Sequence, residues 1–328
     1  MKRALGRSGR TINPVGLGCM GLTGVYNNPV DPAEAMKLLH EAIDIGVEHF
    51  DTAEIYGLTR NEALLGEAFH DRRSKVLIAT KWGPRFDPEN GQRLGVHGSA
   101  ANCRRSVEGS LKRLRTDWID LYYLHRIDPK TPIEESVGAM ADLVKEGKIR
   151  MIGLSEPSAE TIRKAAKTAP IAAVQSEYSI FTRDVEKGPL DAMKAAGASL
   201  VAYSPVGRGM LTGAMARDAK PAGEDFRANA VPRFNDENYA ANLALVEEIK
   251  TIAVETNAKP AQVALAWVLG KAPSIHVIPG TTRIENLRTN VDAMLVVLSP
   301  GQVQRLDALA KRVAGQRYTP MLMSTVNL

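Results

Sequence analysis

The 328-residue sequence is short of cysteine, of surplus charge and of long apolar runs, and each shortage excludes something. Cys19 and Cys103 are its 2 cysteines. They cannot build a disulfide framework, and such sparse usage suits a reducing compartment. No apolar run approaches the ~18 residues a membrane helix needs, so no membrane partner is expected. The first ten residues start basic but lack the apolar stretch of a secretory signal. A cytoplasmic protein follows from these absences. The 42 basic and 37 acidic residues leave a net charge of only +5. The basic pairs Arg72-Arg73 and Arg104-Arg105 are scattered among acids, whereas a nucleic-acid binder concentrates its charge on one face. No nucleic-acid partner is expected, and no metal site. No low-complexity segment or composition break marks a linker, so residues 1–328 are read as a single domain. At 44% hydrophobic and 24% charged residues, the chain has ordinary globular usage and is neither disordered nor fibrous.

What is present is an alternation. Short β-branched or apolar runs stand at 47–50, 76–79, 119–124, 149–154, 172–175, 199–203 and 275–278, with a weaker first member at 15–18. Between them lie stretches of helical periodicity: 32–45, a segment from Thr59, and about 99–114, 134–146, 158–168, 186–196, 260–271 and 283–295. Thr59-Arg60-Asn61-Glu62 reads as a capping box. Gly46 and Gly197 stand where helices stop. Eight strands alternating with helices predict an α/β fold, a (β/α)8 TIM barrel of typical length ~250 residues. The excess falls in a long Gly- and Pro-rich loop after strand 7, residues 204–233, and in a C-terminal helical tail after about 296.

Gly16-Leu17-Gly18-Cys19-Met20-Gly21 matches a dinucleotide fingerprint letter for letter. That motif needs a helix opening at its last glycine. Here Leu22-Thr23-Gly24-Val25-Tyr26-Asn27-Asn28-Pro29 follows, which reads as loop. The glycines then belong to a first barrel strand, where they let a ligand or loop come close.

Barrels of this kind carry their chemistry at the C-terminal ends of the strands. The polar residues there are Asp51, Lys81, His125, Ser155, Gln175 with Glu177, Ser204, and the group Gly280-Thr281-Thr282-Arg283. Each has an ordinary reading alone: a turn cap, a surface lysine, a hydrogen-bonded core histidine. Together they place an acid, a base and an imidazole on one rim. Tyr56 lies in the loop after Asp51. A phenol with its usual pKa of about 10 holds its proton too tightly near neutral pH. A neighbouring Lys81 cation is expected to lower that value. Such a site protonates an oxygen as negative charge develops on it, which suits carbonyl reduction. Thr282 and Arg283, opening a helix, suit a phosphate, and an Arg there favours NADP over NAD.

These residues resemble the aldo-keto reductase superfamily from Val15 to about Asn290. The likeness is carried by Phe50-Asp51-Thr52-Ala53-Glu54-Ile55-Tyr56-Gly57, Thr80-Lys81-Trp82-Gly83, Asp120-Leu121-Tyr122-Tyr123-Leu124-His125 and Ile152-Gly153-Leu154-Ser155. Further along it is carried by Gln175-Ser176-Glu177-Tyr178, Tyr203-Ser204-Pro205-Val206-Gly207-Arg208-Gly209 and Ile278-Pro279-Gly280. The resemblance implies NADPH-dependent reduction of aldehydes or ketones, with Asp51, Tyr56, Lys81 and His125 as a catalytic tetrad and Tyr56 as general acid. It implies that Ser155 and Gln175 meet the nicotinamide carboxamide and that Tyr203 stacks on the ring. Ser204, Pro205, Gly207, Arg208, Gly209 and Leu211 would surround the pyrophosphate. Thr282 and Arg283 would meet the 2′-phosphate and Asn290 the adenine, with Met20, Asp51 and Gly280 also on the cofactor surface. Tyr26, Tyr56, Trp82 and His125 are expected to face the small-molecule carbonyl substrate. Two positions depart from the family pattern: Glu156 where many members have Asn, and Thr289 where many have an acid. The pattern looks most like the microbial and plant branch near the potassium-channel β subunits. A redox-sensing subunit that binds NADP(H) with slow turnover is therefore the alternative reading. Monomer and homo-oligomer both stay open.

Overall fold

A computed structural model describes residues 1–26, 29–87 and 91–328. Asn27 and Asn28, in the loop after the glycine motif, lie outside the described residues. The apolar runs form eight parallel strands: β1 (Leu17–Gly18), β2 (His49–Asp51), β3 (Leu77–Trp82), β4 (Ile119–Leu124), β5 (Ile149–Ser155), β6 (Ile171–Glu177), β7 (Ser199–Tyr203) and β8 (Ile275–Val277). Their order in the sheet is their order in the chain. Parallel bridges Val15–Val277 and Gly18–Gly280 join the first strand to the last and close the barrel. Closure demands bare backbone there. A Cβ on Gly18 would stand 2.8 Å from the Ile278 carbonyl oxygen, and one on Gly16 equally close, 2.8 Å, to that of His49. The fingerprint-like glycines thus serve strand closure, and a 3-10 turn (Met20–Thr23) follows them.

The crossovers are α1 (Pro32–Asp44), α2 (Arg60–Phe69), α3 (Ala100–Leu114), α4 (Ile133–Lys145), α5 (Ala159–Thr168) and α6 (Pro189–Ala196). After β7 come α7 (Asp236–Glu255) and α8 (Pro260–Gly270), and after β8 come α9 (Ile284–Asp292) and α10 (Pro300–Leu309). The long loop after strand 7 and the helical tail are both present. Helix α7 is an element the periodicity reading left unassigned. The capping box at Thr59 does not form. Thr59 is left-handed at φ 72° and its side chain caps nothing. Glu62 is instead drawn into the wall, where it accepts from Thr80 Oγ1 at 2.6 Å and from Arg113 Nε at 2.7 Å.

Alternation along the strands splits the core in two. Phe50, Ile78, Tyr122, Leu124, Leu154 and Val174 face the helices. Leu77, Ala79, Leu121, Tyr123, Met151, Ala173 and Val201 fill the barrel. An unanticipated N-terminal hairpin (Arg3–Ala4 with Thr11–Ile12) seals the base, and its Leu5 and Ile12 join the inner cluster. Arg3 Nη1 fixes it by donating to the carbonyls of Leu269, Ala272 and Ile275. No helix among the described residues is long and apolar enough to cross a membrane.

Candidate active site

The same alternation delivers polar groups to the upper rim. Asp51 ends β2, Lys81 lies on β3, and Ser155 and Gln175 face each other across β5 and β6. The Lys81 ammonium donates to the Asp51 carboxylate and, at 2.7 Å, to the Thr52 carbonyl. Gln175 Nε2 donates to the other Asp51 oxygen at 2.7 Å. The Tyr56 ring meets the His125 ring edge-on, with centroids 5.8 Å apart, and Lys81 Nζ stands 5.1 Å from the Tyr56 ring centre. Asp51, Tyr56, Lys81 and His125, distant in sequence, are therefore one cluster. Tyr56 sits on a constrained loop: Gly57, Leu58 and Thr59 all have positive φ. A Cβ on Gly57 would come within 2.6 Å of the Thr23 side chain. Asn61 ties the two loops together by donating to the Cys19 carbonyl and to Thr23 Oγ1. Backbone held in sparsely populated regions beside a reactive group is a recurrent property of functional sites.

Burial decides the proton affinities. It pushes the Asp51 carboxyl above its ordinary value, outweighing Lys81 and Gln175. For Lys81, burial works against the charge, but Asp51 and Tyr56 more than offset it and the ammonium is held above its usual range. The Tyr56 phenol is raised, because burial outweighs the pull of Lys81 and of Arg126. This corrects the expectation that Lys81 brings the Tyr56 pKa down: the lysine acts in that direction, and desolvation is stronger.

The segments expected at a dinucleotide follow the ends of β7 and β8. Ser204, Gly207, Arg208 and Gly209 have positive φ, and the 3-10 segment Gly207–Thr212 is kinked at Arg208 and Gly209. Leu211 is buried beneath it, and Pro205 is buried as well. The Arg208 side chain turns inward to Glu177 at 2.8 Å, to the Tyr318 hydroxyl at 2.8 Å and to that of Tyr26 at 3.0 Å. Tyr26 thus stands with the Arg208 loop. Gly280 lies on the closing bridge, and half-buried Met20 opens the turn next to Asp51, whose carbonyl takes the Cys19 N–H. Thr282 and Arg283 are exposed at the start of α9, and Asn290 is buried farther along it. Among the described residues Arg283 pairs with no carboxylate. A free cation at the N-terminal end of a nine-residue helix fits a phosphate. Thr289 accepts from Lys259 Nζ at 3.3 Å.

Trp82 does not belong to the substrate surface. Since Lys81 points into the barrel, the next residue points out. Trp82 is fully buried under α4, donates from Nε1 to Met140 Sδ and stacks on Tyr122. The departure at Glu156 also has a structural outcome. Its carboxylate takes two bonds of 2.8 Å from Arg317, one from the Tyr203 hydroxyl and one from the Glu177 N–H. Burial works to raise Glu156, but Arg317 and these donors prevail and hold it below the usual carboxylate range. Glu156 therefore ties the C-terminal tail to Tyr203. Arg317 is a charged rim residue that the sequence does not single out; Arg126, directly after His125 at a strand end, lies in the 126–129 loop, one of those expected to shape the substrate pocket.

The model of the Aldo/keto reductase family matches residues 14–311. The chain is 41% identical over 319 residues to the probable aldo-keto reductase 1 of Glycine max, covering 96% of this chain and 90% of that protein. It is 42% identical over 318 residues to the NADP(+) aldo-keto reductase yakc of Schizosaccharomyces pombe, covering 94% and 92%. Among solved structures, the glycerol dehydrogenase of Gluconobacter oxydans superposes with a TM-score of 0.87 at 29% identity, over 97% of this chain and 98% of that one. A holo aldo-keto reductase from Bacillus halodurans gives 0.79 at 29% identity, over 96% and 98%.

Proposed function

The chain belongs to the aldo/keto reductase family of oxidoreductases, and from that premise we propose that it reduces aldehydes or ketones to alcohols with NADPH, Tyr56 being the proton donor. The observation that carries the reading is the cluster of Tyr56, Lys81, Asp51 and His125 on one rim. Arg283 at the head of α9, which pairs with no carboxylate among the described residues, and the kinked 207–212 segment support a phosphate-binding surface. There Thr282 and Arg283 would hold the 2′-phosphate, Asn290 the adenine, and Ser155 and Gln175 the carboxamide. When bound, NADPH supplies the hydride.

The chain's own residues manage the proton. Tyr56 carries its hydrogen at neutral pH, as any phenol does, and donates it to the carbonyl oxygen as negative charge develops there, with Lys81 opposing the rise in pKa that burial causes. Lys81 stabilises the phenolate that remains, and Asp51, itself held by Gln175, keeps Lys81 in place. His125, edge-on to Tyr56, orients the substrate oxygen.

Steady-state NADPH oxidation with 4-nitrobenzaldehyde tests this. Wild type is expected to turn over. Tyr56→Phe is expected to lose about 10²–10⁴-fold in kcat, the usual contribution of a general acid, while calorimetric NADPH binding persists. Full activity in the variant sinks the assignment. Tight binding without turnover in wild type supports the redox-sensing alternative instead.

A further inference from the structure

Arg126 is a charged rim residue for which the reaction above has no use. It follows His125 where β4 ends and is half-buried. Nη1 donates to the His125 carbonyl at 2.8 Å and to Ser155 Oγ at 3.2 Å, which fixes one corner of the guanidinium between two strand ends. Both acceptors are neutral. Among the described residues Nε and Nη2 make no hydrogen bond, and no carboxylate lies within ion-pairing distance. The rim acids are engaged elsewhere: Asp51 with Lys81 and Gln175, Glu156 with Arg317, and Glu177 with Arg208. Burial disfavours the charge on Arg126, but the Tyr203 and Tyr318 phenols, Glu156 and Tyr56 hold its pKa above the usual value. The cation therefore persists beside the proton donor with two of its nitrogens open.

A planar guanidinium fixed at one corner and open along the rest is a fork for a carboxylate. We propose that Arg126 sets substrate choice, and that the preferred substrates are carbonyl compounds bearing a carboxylate near the reacting group. The inference rests on the reductase reading. It adds a recognition site that the tetrad does not contain.

The test compares 3- and 4-carboxybenzaldehyde, each with its own methyl ester, whose carbonyl is of similar reactivity. The readout is the ratio of kcat/KM for acid over ester, in which losses common to both substrates cancel. Wild type is expected to favour at least one acid by about tenfold or more, the effect of one charge-assisted bond. In Arg126→Met the ratio is expected to fall to about 1, with the loss in KM for the acid. Arg126→Lys retains a point charge without the fork and is expected to lie between. Wild-type ratios at or below 1 overturn the proposal, and so does an unchanged ratio in Arg126→Met. The wild-type ratio decides alone if the variant does not fold. If NADPH binds but neither acids nor esters are reduced, the reductase reading has failed and this inference falls with it.

Discussion

Two of the rim's buried ion pairs, Asp51–Lys81 and Glu156–Arg317, have carboxylates that answer burial in opposite directions: Asp51 is pushed up and Glu156 is held down. The donors explain the contrast. Glu156 receives two bonds from one guanidinium, plus a hydroxyl and a backbone N–H. Asp51 receives one ammonium and one amide. Lys81 is a point charge that also donates to the Thr52 carbonyl and acts on Tyr56 through its field and a hydrogen bond. Arginine's fork matches both oxygens of a carboxylate; lysine does not. In the proposed reaction, the under-compensated pair sits where charge changes during a turnover. The over-compensated pair sits where geometry must stay fixed, between Tyr203 and the tail.

The sharpest way to separate the pairs is to remove each cation. Lys81→Met is expected to lower kcat by about 10²–10⁴-fold in NADPH-oxidation assays at saturating cofactor. A loss under tenfold would deny this pair its chemical role. Arg317→Met leaves Glu156 buried and unpaired, so it is expected to cost about 3–5 kcal/mol in urea denaturation, with a much smaller loss of kcat than Lys81→Met. Adding Glu156→Gln to that variant should restore most of the stability. An Arg317→Met protein as stable as wild type would remove the distinction.

Acid titration gives the smallest effect. Glu156 lies below its ordinary value of 4.5 when folded, so the stability it adds is complete above that value and is lost as pH falls through the lower folded one. Asp51 lies above its ordinary 3.8 when folded, so its ionised form costs stability and acid relieves the cost. Melting curves between about pH 3 and 6 should then show a flatter acid limb for Glu156→Gln and a steeper one for Asp51→Asn. The reverse pattern would mean that the two carboxylates have been ranked wrongly.

Much of this was legible from period and position. The strand runs and the barrel could be read because each run is short, apolar and followed by a helical stretch. The rim residues could be read because function in a barrel collects at one end of each strand. Trp82 was misplaced although the same rule decides it: a strand that points Lys81 inward must point its neighbour outward. The capping box failed because Glu62 has better partners, Thr80 and Arg113, which local spacing cannot reveal. Helix α7 was obscured because Asn235 supplies no side-chain cap and Val254 stands exposed, off the buried stripe. The Glu156–Arg317 pair joins residues 161 positions apart, so only the folded chain brings it into view.

The basal hairpin also bears on how the chain is made. Arg3 bonds carbonyls as far along as Ile275, 272 positions away, and Gly6 N–H takes Ser199 Oγ. The hairpin thus has its partners among residues made much later. At about 5–20 residues per second, that separation is a wait of roughly 15–50 seconds. Leu5 and Ile12 pass that interval without the apolar interior they later occupy. The hairpin cannot reach its native surroundings until the chain up to Ile275 has been made.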